Sequence, residues 1–310
     1  MIERALTLGL LLAGSFAWAQ EDAPYVRTTI ENLDGGADLC LAWSHRDFNY
    51  SLDSAGSSKT PGNSEFIAID QAIATWRALS DGCSDFVYTD LGLVDMPQVG
   101  QGTEDSNVIV FRETACRDVV PQDDNCLADG SCINLYRCWD HGDLTIALTT
   151  TTYSIRTGII YDADIELNAA PHLDGTTFLF TTVDAPPCPI DQQSPSCVAT
   201  DIQNTITHEF GHAMGFDHTL YPNSTMNPTA PVGETSKRII DLGTAQGFCS
   251  VYPKGQPPLS CSEVGSLQRR IIADNQGTPG LTAIGCSAVG PISLAAIALL
   301  LPLIRRRRTR

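Results

Sequence analysis

Residues 208–218 read His-Glu-Phe-Gly-His-Ala-Met-Gly-Phe-Asp-His, which brings three imidazoles, two carboxylates and two glycines within eleven positions. On a helix, imidazoles at i and i+4 lie one turn apart and can share one Zn²⁺ at about 2.0–2.1 Å. Glu209 follows the first of them, so its carboxylate lies beside such a metal and can take a proton from a water there. A helix alone offers no third ligand at the required angle. Gly215 can adopt positive φ, end the helix and turn the chain back. His218, three residues on, then approaches from the other side. Three neutral imidazoles leave a fourth position open, the arrangement of a catalytic rather than a structural zinc. With ordinary residue frequencies the five set positions arise by chance in a chain of this length on the order of 10⁻⁵ times.

The element that carries His208 and His212 must be a helix with one buried side. Thr200 and Gln203 fit a T-x-x-Q capping box that would start it. Ile202, Ile206, Phe210 and Ala213 fall within a stripe of about 80° at 100° per residue, and His208 and His212 lie roughly opposite. The helix can therefore pack on a core while aiming both imidazoles into a cleft. Upstream, Leu39 to Trp43 reads as a strand. Pro61-Gly62-Asn63 opens a helix with Phe66, Ile69, Ile73 and Trp76 on one face, stopped at Asp81-Gly82. Asp85–Thr89, Asn107–Arg112, Leu144–Thr152 and Gly158–Leu167 are strand candidates. Prolines 186, 187, 189 and 195 exclude a long regular element over 184–199, and a further helix begins near Asp241. Strands alternating with helices, followed by a helical end, predict one α/β domain over residues 39–256 with an extended lead-in at 20–38.

The His-Glu-Phe-Gly-His-Ala-Met-Gly-Phe-Asp-His run resembles the zinc helix of the metzincin endopeptidases, and most closely that of the matrixins. Met226, within Ser224-Thr225-Met226-Asn227-Pro228, suits the Met-turn that the resemblance implies, a hydrophobic base under the three histidines. The resemblance extends weakly over 39–253. It implies an α/β (α+β) zincin: a twisted mixed sheet, a long active-site helix and a smaller C-terminal helical subdomain. It implies protein or peptide substrates and a strand near 158–168 serving as the sheet edge that pairs with them. Three departures stand out. No Pro-Arg-Cys-Gly latency segment precedes the domain. His141-Gly142-Asp143 matches a structural-zinc segment, but Thr149 and Thr150 stand where partner histidines belong, so a plain loop is the favoured reading. Asp162, Asp164 and Glu166 could bind Ca²⁺, or could simply be solvated carboxylates. A non-enzymatic reading, a zinc-stapled surface adhesion module without catalysis, is the alternative. The intact Glu209 argues against it, because binding alone needs no general base.

The remaining sequence addresses location. Arg4, the apolar run to Ala13 and Ala17-Trp18-Ala19 read as a signal peptide over 1–19, with a buried N-terminal helix as the alternative. Between Gln20 and Cys286 stand 13 basic and 35 acidic side chains, so bulk attraction to nucleic acid is excluded. Ser287 to Ile304 is apolar and uncharged and is followed by an arginine run. That is long enough to span a bilayer core. With Gly285-Cys286 before it, the segment 286–310 resembles the C-terminal sorting tails of myxobacterial surface proteins; a plain membrane anchor is the other reading, with 257–285 a linker. Of the 11 cysteines, setting Cys286 aside leaves ten, an even number that suits up to five disulfides in an exported protein. Cys188–Cys197 and Cys249–Cys261 are the pairs suggested by proximity. Cys116, Cys126, Cys132 and Cys138 would staple a surface loop, or less favourably hold zinc.

Overall fold

The computed structural model describes residues 25–100, 107–128, 130–259 and 261, and the backbone of 281–284. The signal-like segment 1–19, most of the linker and the tail 286–310 lie outside them. Among the described residues no helix is long and apolar enough to cross a membrane.

The lead-in forms β1 (Val26–Arg27) and β2 (Thr29–Ile30). The expected strand over 39–43 is two strands, β3 (Leu39–Cys40) and β4 (Ala42–Trp43). The division has a cause in the hydrogen bonding. Leu41 gives its amide to Thr28 at 2.9 Å, and Ala42 gives its own to Gly158 at 3.0 Å, so the chain passes from β2 to the main sheet at that point. Next come β5 (Asp47–Asp53), α1 (Ser64–Cys83), β6 (Val87–Val94) and β7 (Asn107–Arg112). The short helices α2 (Cys116–Val119) and α3 (Cys132–Leu135) precede β8 (Ala147–Tyr153) and β9 (Ile159–Asn168). Then follow β10 (Phe180–Thr181), β11 (Thr200–Asp201), α4 (Ile202–Ala213), β12 (Phe216–Asp217), α5 (Leu242–Val251) and β13 (Leu281–Ile284).

The main sheet runs β13-β8-β9-β7-β5-β6, with β4 also pairing β9. β4, β5, β6, β7 and β9 pair in parallel, while β8 pairs antiparallel with both β9 and β13, so the sheet is mixed as expected. One expectation is corrected here. The strand near 158–168 is not an edge: β9 has β8 on one side and β7 and β4 on the other. Its ten residues are nearly all buried, as an interior strand covered on both faces requires.

One face of the sheet is covered by α1 and α4. Ile69, Ile73 and Trp76 of α1 and Ile202, Ile206, Phe210 and Ala213 of α4 are all buried. Phe210 lies 4.9 Å from Phe48, 5.4 Å from Tyr88 and 5.9 Å from Trp76 between ring centroids. Burying a side chain of that size contributes about 1.5–3 kcal/mol, and the aromatic cage fixes the rotation of α4 about its axis.

The ten cysteines form five disulfides. Cys188–Cys197 pairs as expected. Cys116–Cys138 and Cys126–Cys132 staple the segment before β8, so those four sulfurs are not a zinc cluster. The Cys249–Cys261 expectation is overturned: Cys249 bonds Cys83 and Cys261 bonds Cys40. Cys83 ends α1 and Cys249 lies in α5, so this bond ties two elements 166 residues apart. Proximity in sequence says nothing about such a pair.

Candidate metal centre

α4 is capped by Asp201, not by a Thr200 capping box. The Asp201 carboxylate accepts the amide of Asn204 at 2.8 Å and pairs with Arg238 at 2.6 Å. Thr200 instead pairs with Phe180 in β10. A carboxylate facing the helix N-terminus also meets its positive end, which a threonine hydroxyl does not exploit as strongly.

From that start, one turn of helix separates His208 from His212, and Gly215 turns the chain to bring back His218. Gly215 has φ +86°, and a Cβ there would lie 2.5 Å from the Leu41 carbonyl oxygen. Both conformation and space therefore require glycine. The returning chain is braced by β12 pairing antiparallel with β1, Phe216 opposite Arg27 and Asp217 opposite Val26.

The three Nε2 atoms converge. They stand 3.2 Å (His208–His212), 3.1 Å (His212–His218) and 3.3 Å (His208–His218) apart. His208 Nδ1 lies 2.6 Å from the Thr225 carbonyl and His212 Nδ1 2.7 Å from that of Phe216. A carbonyl only accepts, so each Nδ1 carries the proton and donates it. Each Nε2 is left with a lone pair. Lone pairs this close repel unless a cation lies between them. Ligands of a tetrahedral ion at 2.0–2.1 Å stand about 3.3–3.4 Å from one another, so the donor set has the size and chemistry of a zinc site. No other group of three potential ligands gathers in this way among the described residues.

Glu209 is buried beside the triad without joining it. Thr149 of β8 donates its hydroxyl to the carboxylate at 2.8 Å and lies 3.0 Å from the Glu209 carbonyl. The sequence marks Thr149 as a strand residue standing where a partner histidine belongs; its hold on Glu209 depends on β8 crossing α4, which residue spacing does not show. Beneath the site, Met226 is fully buried. A Cβ on Gly211 would meet its Sδ at 2.2 Å, so the glycine in the helix lets the Met-turn rise against it. Asp241 locks that turn. Its carboxylate accepts from the Thr225 amide at 2.7 Å and the Ser224 hydroxyl at 3.1 Å, and from the Gly243 amide at the start of α5 at 2.9 Å. Thr225 in turn holds His208, so α5 positions the first imidazole through two hydrogen bonds.

The other candidates fare differently. Asp162, Asp164 and Glu166 share one buried face of β9. Asp164 accepts the amides of Gly100 at 2.6 Å and Val108 at 2.8 Å, and Glu166 pairs with buried Arg112 at 2.5 Å. Burial, then neighbouring Asp162, pushes Asp164 well above the usual carboxylate range. Burial pushes Glu166 the same way, but Arg112 and then His141 outweigh it and hold it below its ordinary value. These carboxylates are thus neither solvated nor gathered on one point. His141 lies 3.9 Å from Glu166, while Asp143 accepts from Arg117 and from the Leu173 amide; both residues lie in a loop.

Burial drives the His208 and His212 imidazoles well below their ordinary value, followed by the other histidines of the cluster. Burial, then Lys237, lowers His218 to about 4. All three are therefore in the neutral, ligating form at pH 7. In metal-free protein the folded state resists protonation that the unfolded chain accepts near pH 6.5. Stability contributed by these groups is present above pH 6.5 and is lost as pH falls toward 4. Asp164 works in the opposite direction, so the expected result is a difference. Between pH 7 and pH 5 the Tm of chelated protein drops more than that of a chelated His218→Gln variant. Equal drops would refute the assignment.

A mixed sheet, a buried helix with two imidazoles, a glycine turn to the third and a carboxylate at its side define a candidate site for a single metal ion. The matrixin family model matches residues 42–252, and the chain belongs to that family. It is also 39% identical over 57 residues to human matrix metalloproteinase-25. That stretch spans 18% of this chain and only 10% of the human protein.

Proposed function

We propose that the protein is a zinc-dependent endopeptidase. The observation that carries this reading is the tetrahedral spacing of three lone pairs with Glu209 held next to them but outside the ligand set. Zinc there supplies Lewis acidity, making water acidic near neutral pH and polarising a carbonyl. Glu209 accepts the proton lost by the attacking water and delivers it to the departing amine. Thr149 keeps the carboxylate turned toward that position. His208 and His212 are oriented by the carbonyls of Thr225 and Phe216, which also raise their basicity as ligands. An extended peptide would lie along the outer side of β8, the side on which β13 pairs, by taking that strand's place in the ladder. Residues 227–240, between Met226 and α5, would wall the pocket for the side chain after the cut bond.

Export and surface attachment are part of the proposal. They rest on the signal-like N-terminus, the apolar tail after Gly285-Cys286, and five disulfides that favour an oxidising compartment. The direct test is elemental analysis together with digestion of a peptide library. One zinc per chain and cleavage abolished by chelator are expected. Folded, zinc-loaded protein that cleaves no unfolded protein would refute the enzymatic reading.

A further inference from the structure

The segment between Met226 and α5 carries a lysine that the zinc chemistry does not use. Lys237 is buried, its side chain only 1% exposed. Its position follows from α4. The Lys237 amide donates to the Asn204 side-chain oxygen at 2.8 Å. Asn204 stands one helical turn before His208, so the two share a face of α4, about 6 Å apart along the axis. Lys237 is therefore anchored against the stretch of helix that leads into the metal centre. Its ammonium donates to the Thr229 carbonyl and to the Glu234 carboxylate, each at 2.6 Å. Thr229 lies three residues beyond Met226. The wall beside the centre is thus built from polar groups of both the helix and the loop.

The ammonium has three N–H groups and, among the described residues, two acceptors, so one hydrogen is left for a third. The ion pair also has a direction. The Glu234 side chain is 17% exposed, so the carboxylate is the solvent end and the ammonium the inner end. After burial, the positive charge of Lys237 is the next influence that lowers His218, and it acts on His208 as well; Glu234 offsets it at neither. An ammonium taken out of water is costly to place beside a second cation and gains from a nearby anion. A basic side chain entering the pocket would meet that penalty, and a carboxylate would relieve it. The chain as a whole, with 19 basic and 36 acidic side chains, repels acidic peptides. A preference for an acid at this position would therefore have to come from the wall itself.

We propose that Lys237 selects the residue accepted after the cut bond, favouring an aspartate or glutamate there and rejecting a lysine or arginine. The proposal rests on the endopeptidase reading, and its tests separate the two. The first test uses zinc-loaded full-length protein and no catalysis. Two hydroxamates that ligate the zinc, identical except that one carries a carboxylate side chain and the other an amine, are titrated by calorimetry. The acidic one should bind about tenfold tighter or more. The second test measures kcat/KM on peptide pairs with Glu or Lys after the cut bond, and the acid should lead there by about the same ratio. Both are repeated on the double variant Lys237→Met, Glu234→Gln, which removes the buried pair at nearly constant volume and leaves neither charge alone. The preference should be lost. Glu234→Gln by itself frees the ammonium of its partner and should enlarge the preference, which a lysine that merely staples the loop would not do. Each ratio is taken within one preparation, so a loss of stability that lowers all values together does not move it.

Equal or reversed binding of the two hydroxamates by the parent overturns the proposal, whether or not the variants fold. An acid preference that survives removal of both charges, or that does not grow in Glu234→Gln, overturns the assignment to Lys237. Acid preference in binding, from a catalytically intact chain that cleaves no peptide, leaves the Lys237 pocket standing and refutes the endopeptidase reading instead.

Discussion

A Glu209→Gln protein is expected to bind one zinc, melt with the parent and lose about 10²–10⁴ in kcat/KM. The side chains are the same size, and the glutamine oxygen can still accept the Thr149 hydroxyl that now reaches the carboxylate at 2.8 Å. Zinc should stay because its donors are the three Nε2 atoms, which stand 3.1–3.3 Å apart without any help from residue 209. Only the capacity to take up a proton disappears. Zinc content, a melting curve and a steady-state assay on one preparation decide the matter. Retained activity would show that another group accepts the proton. Lost zinc would show that the carboxylate belongs to the ligand set.

Gly215→Ala should damage the metal centre from behind. A residue with a Cβ at φ +86° costs about 1–3 kcal/mol, and here the added carbon also meets the Leu41 carbonyl oxygen at 2.5 Å. That oxygen is backbone and accepts from buried Arg27 at 3.0 Å, so it has no easy way to swing aside. The turn must shift, and His218 shifts with it. The expected outcome is a loss of about 3 kcal/mol or more in stability and zinc that is removed by a weak chelator. Gly82→Ala is the matched control. It lies in the last turn of α1 with nothing within 4 Å of the added carbon, and should leave zinc retention unchanged. Parent-like zinc retention in Gly215→Ala would show that the turn does not position the third ligand.

The candidate metal site was legible in the sequence because it is local. His208, Glu209, His212, Gly215 and His218 are related by helix geometry and one turn, and the stripe of Ile202, Ile206, Phe210 and Ala213 already said which side of the helix was buried. Asn107–Arg112 was legible for a similar reason, as a short apolar run with no competing helical period. What escaped depends on topology. β5 shows buried Phe48, Tyr50 and Leu52 alternating with Asp47, Asn49 and Ser51. A strand this polar on its second face was passed over, although its period of two is plain in retrospect. Thr149 holding Glu209, Asp241 locking the Met-turn and the Cys83–Cys249 bond all join segments between 16 and 166 residues apart. The identity of the edge strand was misread because strand order is a property of the assembled sheet. Gly158–Leu167 alternates Asp162, Asp164 and Glu166 with Ala163, Ile165 and Leu167, the pattern of a strand with one polar face, and only the assembled sheet shows that the acidic face is buried as well.

The pairing of Val26 and Arg27 with Asp217 and Phe216 has a consequence for the order of assembly. The segment that braces the third imidazole is synthesised first, yet its partner emerges some 190 residues later. A nascent chain can therefore form α1 and its neighbouring strands while the ion-holding pocket is still incomplete. Contacts of such long range are the slowest to close. Metal capture then belongs to the end of folding, and removal of the first braced residues would loosen the pocket while sparing most of the core.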